Sequence, residues 1–196
     1  MRSHRNRQGF TLIELMVTAG LLGVLAAIAI PNFITYQARS KRSESFTNLS
    51  ALARAQKAYQ AERNGYLDTL VSWPDDAMYG GLGTKQMPWD SDAQAAFGEL
   101  GWAPEGQVYY SYAAYTNATA TTGNNCSACP LCFTAAAYGD VDGNGSTQVI
   151  MFVHPEDVGG AQAWCNEELL LNPPPIDPAS GNIILDAVAA RSNTDF

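Results

Sequence analysis

Positive charge is almost missing from the larger part of this sequence. Beyond residue 63, only Lys85 and Arg191 stand against sixteen acids, which argues against nucleic acid as a partner, because such binding draws on basic surface to neutralise phosphates. Histidine is equally scarce. His4 and His154 are the only two in 196 residues, so a general base working near neutrality has one candidate beyond the N-terminal segment, His154. No GxSxG element or phosphate-binding glycine loop occurs, and the acids are scattered rather than paired. An enzymatic reading therefore lacks its parts, and the chain is read as a non-enzyme. Haem attachment lacks its CxxCH motif. Between residues 10 and 63 there is one proline, Pro31, which leaves that stretch free to form a single helix.

What is present begins with Gly9-Phe10-Thr11-Leu12-Ile13-Glu14-Leu15, which opens an apolar run to Ile30 with one acid inside it. A carboxylate in hydrocarbon costs about 2.5 to 3.5 kcal/mol on insertion scales, so its default meaning is a functional group awaiting a partner. Residues 1–9 are short, polar and basic, with Arg2, Arg5 and Arg7 and no apolar core of their own. A secretory signal places its apolar segment before the cleavage site. Here that segment follows Gly9, the one plausible processing point, so cleavage leaves it on the mature chain with Phe10 first and Glu14 fifth.

Leader, Gly9, Phe10, Glu14 and the later Pro31 together resemble the N-terminus of a type IV prepilin. Gln8 stands where Lys or Arg is usual, while Arg5 and Arg7 keep the leader cationic. The resemblance is specific over roughly the first third of the chain and loose beyond Gly65. It implies cleavage after Gly9 and N-methylation of Phe10 by a prepilin peptidase, and a filament contact between Phe10 and Glu14 of neighbouring copies. It also implies loss of helical order around Gly20, Gly23 and Pro31 on assembly, where Pro31 cannot donate to the Ala27 carbonyl and each glycine costs roughly 1 kcal/mol of helix propensity; a simple static kink is the alternative reading of the same residues.

Charge is segregated along the chain. The leader is cationic, residues 10–63 carry a small positive excess, and the rest is strongly acidic. Arg39, Lys41 and Arg42 rival the basic leader in the positive-inside count, so hydropathy alone leaves the orientation open. The resemblance places the leader in the cytoplasm and the acidic part outside. The expected fold is α+β and pilin-like, a long N-terminal helix with a small antiparallel sheet domain packed on its C-terminal half. Its parts are a leader (1–9), a transmembrane or filament-core half-helix (10–36) and a soluble domain (37–196).

The second half of the helix is amphipathic, with Phe46, Leu49, Leu52, Ala53 and Tyr59 on one stripe and Arg42, Glu44, Asn48, Arg54 and Lys57 on other faces. Asn64-Gly65 supplies a stop. Residues 66–105 read as an irregular connecting loop with short elements, rich in Trp and Pro. Strands are expected over 108–116, 132–138 and 148–154, the last two paired through the 139–145 turn. Residues 172–196 read as a C-terminal loop, Pro-rich and then polar, with Ile183-Ile184-Leu185 as their apolar cluster.

Two constellations invite chemistry. Asp140, Asp142 and Asn144 place oxygen side chains at alternate positions before Gly145, like the first half of a calcium loop, but the twelfth position is Met151 instead of a bidentate Glu. The same residues suit a plain turn. No cofactor is required, and calcium is the candidate ion. Cys126, Cys129 and Cys132 fall at three-residue spacing with Cys165 far off. Two disulfides are expected, because an exported domain gains from cross-links, and three pairings are open. A zinc or iron-sulfur site is the sharper alternative, handicapped by the distant fourth ligand. The resemblance implies that Cys165 pairs with one of the cluster.

The function implied is that of a type IV pilus subunit, with roles in adhesion and twitching motility. Its partners would be further copies of itself, the prepilin peptidase, the pilus or secretion assembly machinery and the inner membrane before assembly. Minor pilin and type II secretion pseudopilin are the near alternatives. A membrane-anchored periplasmic binding protein that never polymerises is the distant one, and it leaves Glu14 without a use.

Overall fold

The computed structural model describes residues 9–74, 84–117, 129–165 and 173–191. The chain divides into two units, Met1–Arg39 and Ser40–Phe196. The first helix, α1 (Leu12–Arg63), is continuous through Pro31. It starts two residues later than the sequence suggested, because Thr11 serves as its cap. It ends at Asn64, whose φ of 56° is left-handed and whose N–H reaches the Gln60 carbonyl at 2.8 Å, the geometry that stops helices at Asn or Gly.

In the second unit α1 buries Leu49, Leu52 and Ala53, the stripe expected from spacing, and full burial of each leucine contributes about 1.5–3 kcal/mol. Gln56 extends the stripe although it is polar. Its amide donates to the Leu67 carbonyl at 2.7 Å and accepts the Leu67 N–H at 3.0 Å, so it is buried without an orphaned group. Two residues assigned to other faces are corrected: Glu44 accepts the Tyr109 N–H and the Tyr112 hydroxyl, and Asn48 donates to the same hydroxyl at 2.8 Å. Glu44 and Asn48 satisfy polar atoms where the sheet begins.

The main sheet places Ser111–Tyr115, Phe133–Gly139, Gln148–His154 and Val188–Ala190 side by side in that order, all antiparallel. The strand expected over 108–116 is broken in two: β1 (Met87–Pro88) pairs with β2 (Gln107–Val108), and β3 (Ser111–Tyr115) begins after the Tyr109 N–H has turned to Glu44. β4 (Phe133–Gly139) and β5 (Gln148–His154) pair through the 139–145 turn as expected. β6 (Glu156–Val158) and β7 (Ala161–Ala163) form a separate hairpin. β8 (Val188–Ala190) adds to β5, with Ala190 opposite Ile150 and Val188 opposite Phe152. The C-terminal part, expected to be loop, thus supplies an edge strand. Three small or medium residues carry no strand signal of their own, and pairing with β5 decides their conformation.

Alternation along β3, β4 and β5 separates two packed faces. Ala135, Ala137, Phe133, Ile150 and Phe152 join Leu49, Leu52 and Ala53 in one cluster. The alanines leave room for the helix to lie close. Tyr115, Ala136, Tyr138, Met151 and Val153 form a second cluster on the opposite face, where Trp164 and Leu185 pack. The connection after residue 66 carries short elements, as expected. Helix α2 (Ser91–Ala96) is capped by Asp90, which accepts the Ala93 N–H at 2.8 Å. Trp89, Phe97, Trp102 and Tyr112 form an aromatic cluster with centroids 4.9–6.3 Å apart.

Gly139 ends β4 beneath the ring of fully buried Tyr110. A Cβ there would stand 2.8 Å from Cδ1 of Tyr110 and 3.1 Å from the Tyr109 carbonyl oxygen. Gly139→Ala should therefore lower stability by about 1–3 kcal/mol, the usual cost of overpacking. A chemical-denaturation midpoint equal to wild type would show that the tyrosine has room to move.

Candidate functional site

The N-terminal site is assembled by the start of α1. Thr11 Oγ1 accepts the Glu14 N–H at 3.3 Å, and the Glu14 carboxylate reaches back to the Thr11 N–H and hydroxyl at 3.5 and 3.4 Å. This reciprocal arrangement is a capping box, which satisfies backbone N–H groups at a helix start. The Thr-x-x-Glu spacing was legible in the sequence, and reading Glu14 only as a membrane charge missed it. Phe10 is 79% exposed. A carboxylate at the N-terminal end of a helix also sits where the helix dipole favours negative charge.

From Leu12 to Tyr36 the large apolar side chains are all exposed. Among the described residues, α1 is the one helix long and apolar enough, by length and composition, to cross a membrane. Polar side chains near Pro31 turn inward to the backbone: Asn32 Nδ2 donates to the Ile28 carbonyl and Thr35 Oγ1 to the Pro31 carbonyl, each at 3.1 Å. Both are local bonds from a side chain to the carbonyl four residues back along the helix. A Cβ at Gly20 or Gly23 would meet nothing within 4 Å, so packing inside this chain does not require glycine at either position.

The turn carrying the tentative metal ligands is closed by its own hydrogen bonds. Asp140 is 7% exposed; its Oδ1 accepts the N–H groups of Gly143 and Asn144, and its Oδ2 accepts that of Gly145. Asp142 accepts both the Asn144 N–H and its side-chain amide. Burial, together with the neighbouring Asp140 carboxyl, raises the Asp142 pKa. Among the described residues no cluster of three or more His, Cys, Asp or Glu side chains could hold a metal.

Cys129 and Cys132 form a disulfide. Cys165 is also disulfide-bonded and lies against that pair, 3.4 Å from Cys132 Sγ. The described residues include no free cysteine, and Cys126 lies outside them.

A further polar centre was not foreseen from the sequence. Asp186 Oδ1 accepts from Lys57 Nζ at 3.0 Å and lies 2.6 Å from His154 Nδ1, while its own N–H donates to the Val153 carbonyl. Partial burial pushes its pKa up, but the bonds from His154 and Lys57 prevail and hold it below the ordinary carboxylate value. At Glu44 the balance is reversed, and burial raises the pKa against the bonds from Tyr109 and Tyr112. These groups fasten the sheet to the helix. His154, the sole candidate base, is part of that fastening, with its ring 5.5 Å from that of Phe133.

A family model for the prokaryotic N-terminal methylation motif matches residues 4–30. The chain is 62% identical over 64 residues to the type IV major pilin protein PilA of Myxococcus xanthus, a match covering 33% of this chain and 29% of that protein. It is 33% identical over 79 residues to the type II secretion system core protein G of Aeromonas hydrophila, covering 37% of this chain and 55% of that one. The chain thus spans less than two thirds of the length of both relatives. The match to the type IV major fimbrial protein FimA of Dichelobacter nodosus is longer, 33% identity over 123 residues, covering 62% of this chain and 74% of that protein. With the methylation motif on the exposed apolar helix and the antiparallel sheet beyond it, that coverage shows that the chain belongs to the type IV pilin family.

Proposed function

We propose that this chain is a structural subunit of a type IV pilus, processed after Gly9 and polymerised through its N-terminal helix. The observation that carries the reading is the run of exposed apolar side chains from Leu12 to Tyr36 on a helix whose one early charge, Glu14, sits four residues past Phe10. So much apolar surface needs lipid or like helices around it. The inner membrane serves before assembly and a bundle of copies afterwards. Removal of the leader frees the Phe10 amine, whose positive charge is the natural partner for a neighbour's Glu14 in a dry core. Repetition of such a head-to-tail contact without ring closure builds a helical filament.

The peptidase that cuts the leader and methylates Phe10, and the assembly machinery of a pilus or secretion system, are the further partners. Gly20, Gly23 and Pro31 form the stretch that gives up helical order on assembly. The role requires no cofactor. Similarity to the Aeromonas secretion protein supports a second reading, a secretion pseudopilin that assembles sparingly inside the envelope. Mass spectrometry of filaments sheared from cells decides. The expected result is this chain as the abundant subunit, beginning at an N-methylated Phe10. Filaments without it, or with the leader intact, would overturn the assignment.

A further inference from the structure

Arg191 follows β8 directly and is anchored there by its backbone, the N–H donating to the Val149 carbonyl at 3.0 Å. Its side chain lines a surface cavity of about 440 Å³ together with Arg42, Ile176, Pro178, Ile184 and Ala189. Arg42 is half-buried on α1, its guanidinium 5.8 Å from the centre of the Phe46 ring. Ile176 is 57% exposed. The pocket therefore sets the exposed Arg191 guanidinium, with the already partnered Arg42 on the same cavity, against an apolar lining, chemistry suited to carboxylates on a partly apolar surface.

Charge distribution identifies the occupant. Beyond residue 63 the chain has sixteen acids and two cations, so copies stacked side by side would turn like-charged surfaces towards one another, which repel unless a cation lies between them. Both ion pairs among the described residues converge on Asp186, engaging Lys57 and His154. Arg191 is in neither, and it is exposed. We propose that the pocket between Arg42 and Arg191 is an interface that receives an acidic surface of a second copy of this chain. This rests on the filament reading above. Each subunit carries both halves of the contact, the basic pocket and the acidic surface, so a helical array can repeat it indefinitely.

The test uses full-length protein assembled on cells. Arg191→Glu should reduce sheared filament yield at least tenfold while membrane-bound, processed subunit stays at wild-type level. Arg191→Lys should keep the filaments and add a reactive amine. Carbodiimide, which joins amines to carboxylates, should then give a covalent dimer additional to any formed by the native lysines, with the position-191 peptide joined to an Asp or Glu peptide. Arg191→Glu filaments of wild-type yield and salt resistance would overturn the interface. So would Arg191→Lys filaments that yield no additional dimer, a readout that holds even if the charge reversal impairs folding. Inorganic phosphate that blocks the cross-link without loosening the filaments would identify the pocket as a small-anion site instead. Wild-type cells without filaments of this chain would overturn the filament reading, and the interface with it.

Discussion

Glu14→Ala is expected to abolish filaments, or reduce them to traces, while leader cleavage and membrane insertion proceed. Breaking a buried charge pair by removing one member costs about 3–5 kcal/mol, because the other charge is left unpaired in a dry core. Each added subunit would bear that cost. The capping box supplies a competing explanation, since the alanine variant also loses the reciprocal bonds with Thr11, and losing a helix cap costs roughly 1 kcal/mol. Glu14→Gln separates the two. Glutamine closes a capping box as glutamate does but carries no charge, so filaments should remain scarce if the charge pair drives assembly. Wild-type filament yield from Glu14→Gln, with processing confirmed by mass spectrometry, would assign the effect to the cap.

Asp140→Ala is expected to destabilise the sheet domain by about 3 kcal/mol. One carboxylate accepts three backbone N–H groups at 2.9–3.1 Å. Bonds to a charged group contribute about 1.5–3 kcal/mol, and water reaching the exposed end of the turn would replace part of the loss. The same variant tests the calcium hypothesis. If the turn is held by its own hydrogen bonds, wild-type melting curves in calcium and in chelator should coincide and the variant should melt lower in both. A calcium-dependent rise in the wild-type melting temperature that Asp140→Ala removes would place an ion there, and at a hundredfold excess over its dissociation constant the rise would correspond to roughly 2.7 kcal/mol.

The two results bear on different levels of legibility. Glu14 was conspicuous because a lone acid in a long apolar run violates the local pattern, and such violations mark function. Its bond to Thr11 was equally local, three residues away, and was overlooked because the membrane reading already accounted for the acid. Asp140 was visible as a turn residue, but the number of N–H groups it accepts depends on how the residues after it curl, which composition does not encode. Asp186 gave no signal at all. Its partners Lys57 and His154 lie 129 and 32 residues away, and only the fold brings the three together.

The sequence by itself determined the long N-terminal helix of this protein. Glu14 and Pro31 lie along that helix and Gly9 and Phe10 directly before it, where every relationship is a short spacing and the periodicity of α1 is fixed by local hydrogen bonding. It also determined the β4–β5 hairpin, whose partners are joined by a short turn. Tertiary structure alone decided the strand at Val188–Ala190 and the inward turn of Glu44 and Asn48. It also set the requirement for glycine at residue 139 and gathered Arg42 and Arg191 around one cavity. In each of these the deciding neighbour is distant in the chain, so the side chain's environment exists only after the sheet has closed on the helix. Propensity there is a weak prior that packing and hydrogen-bond satisfaction override.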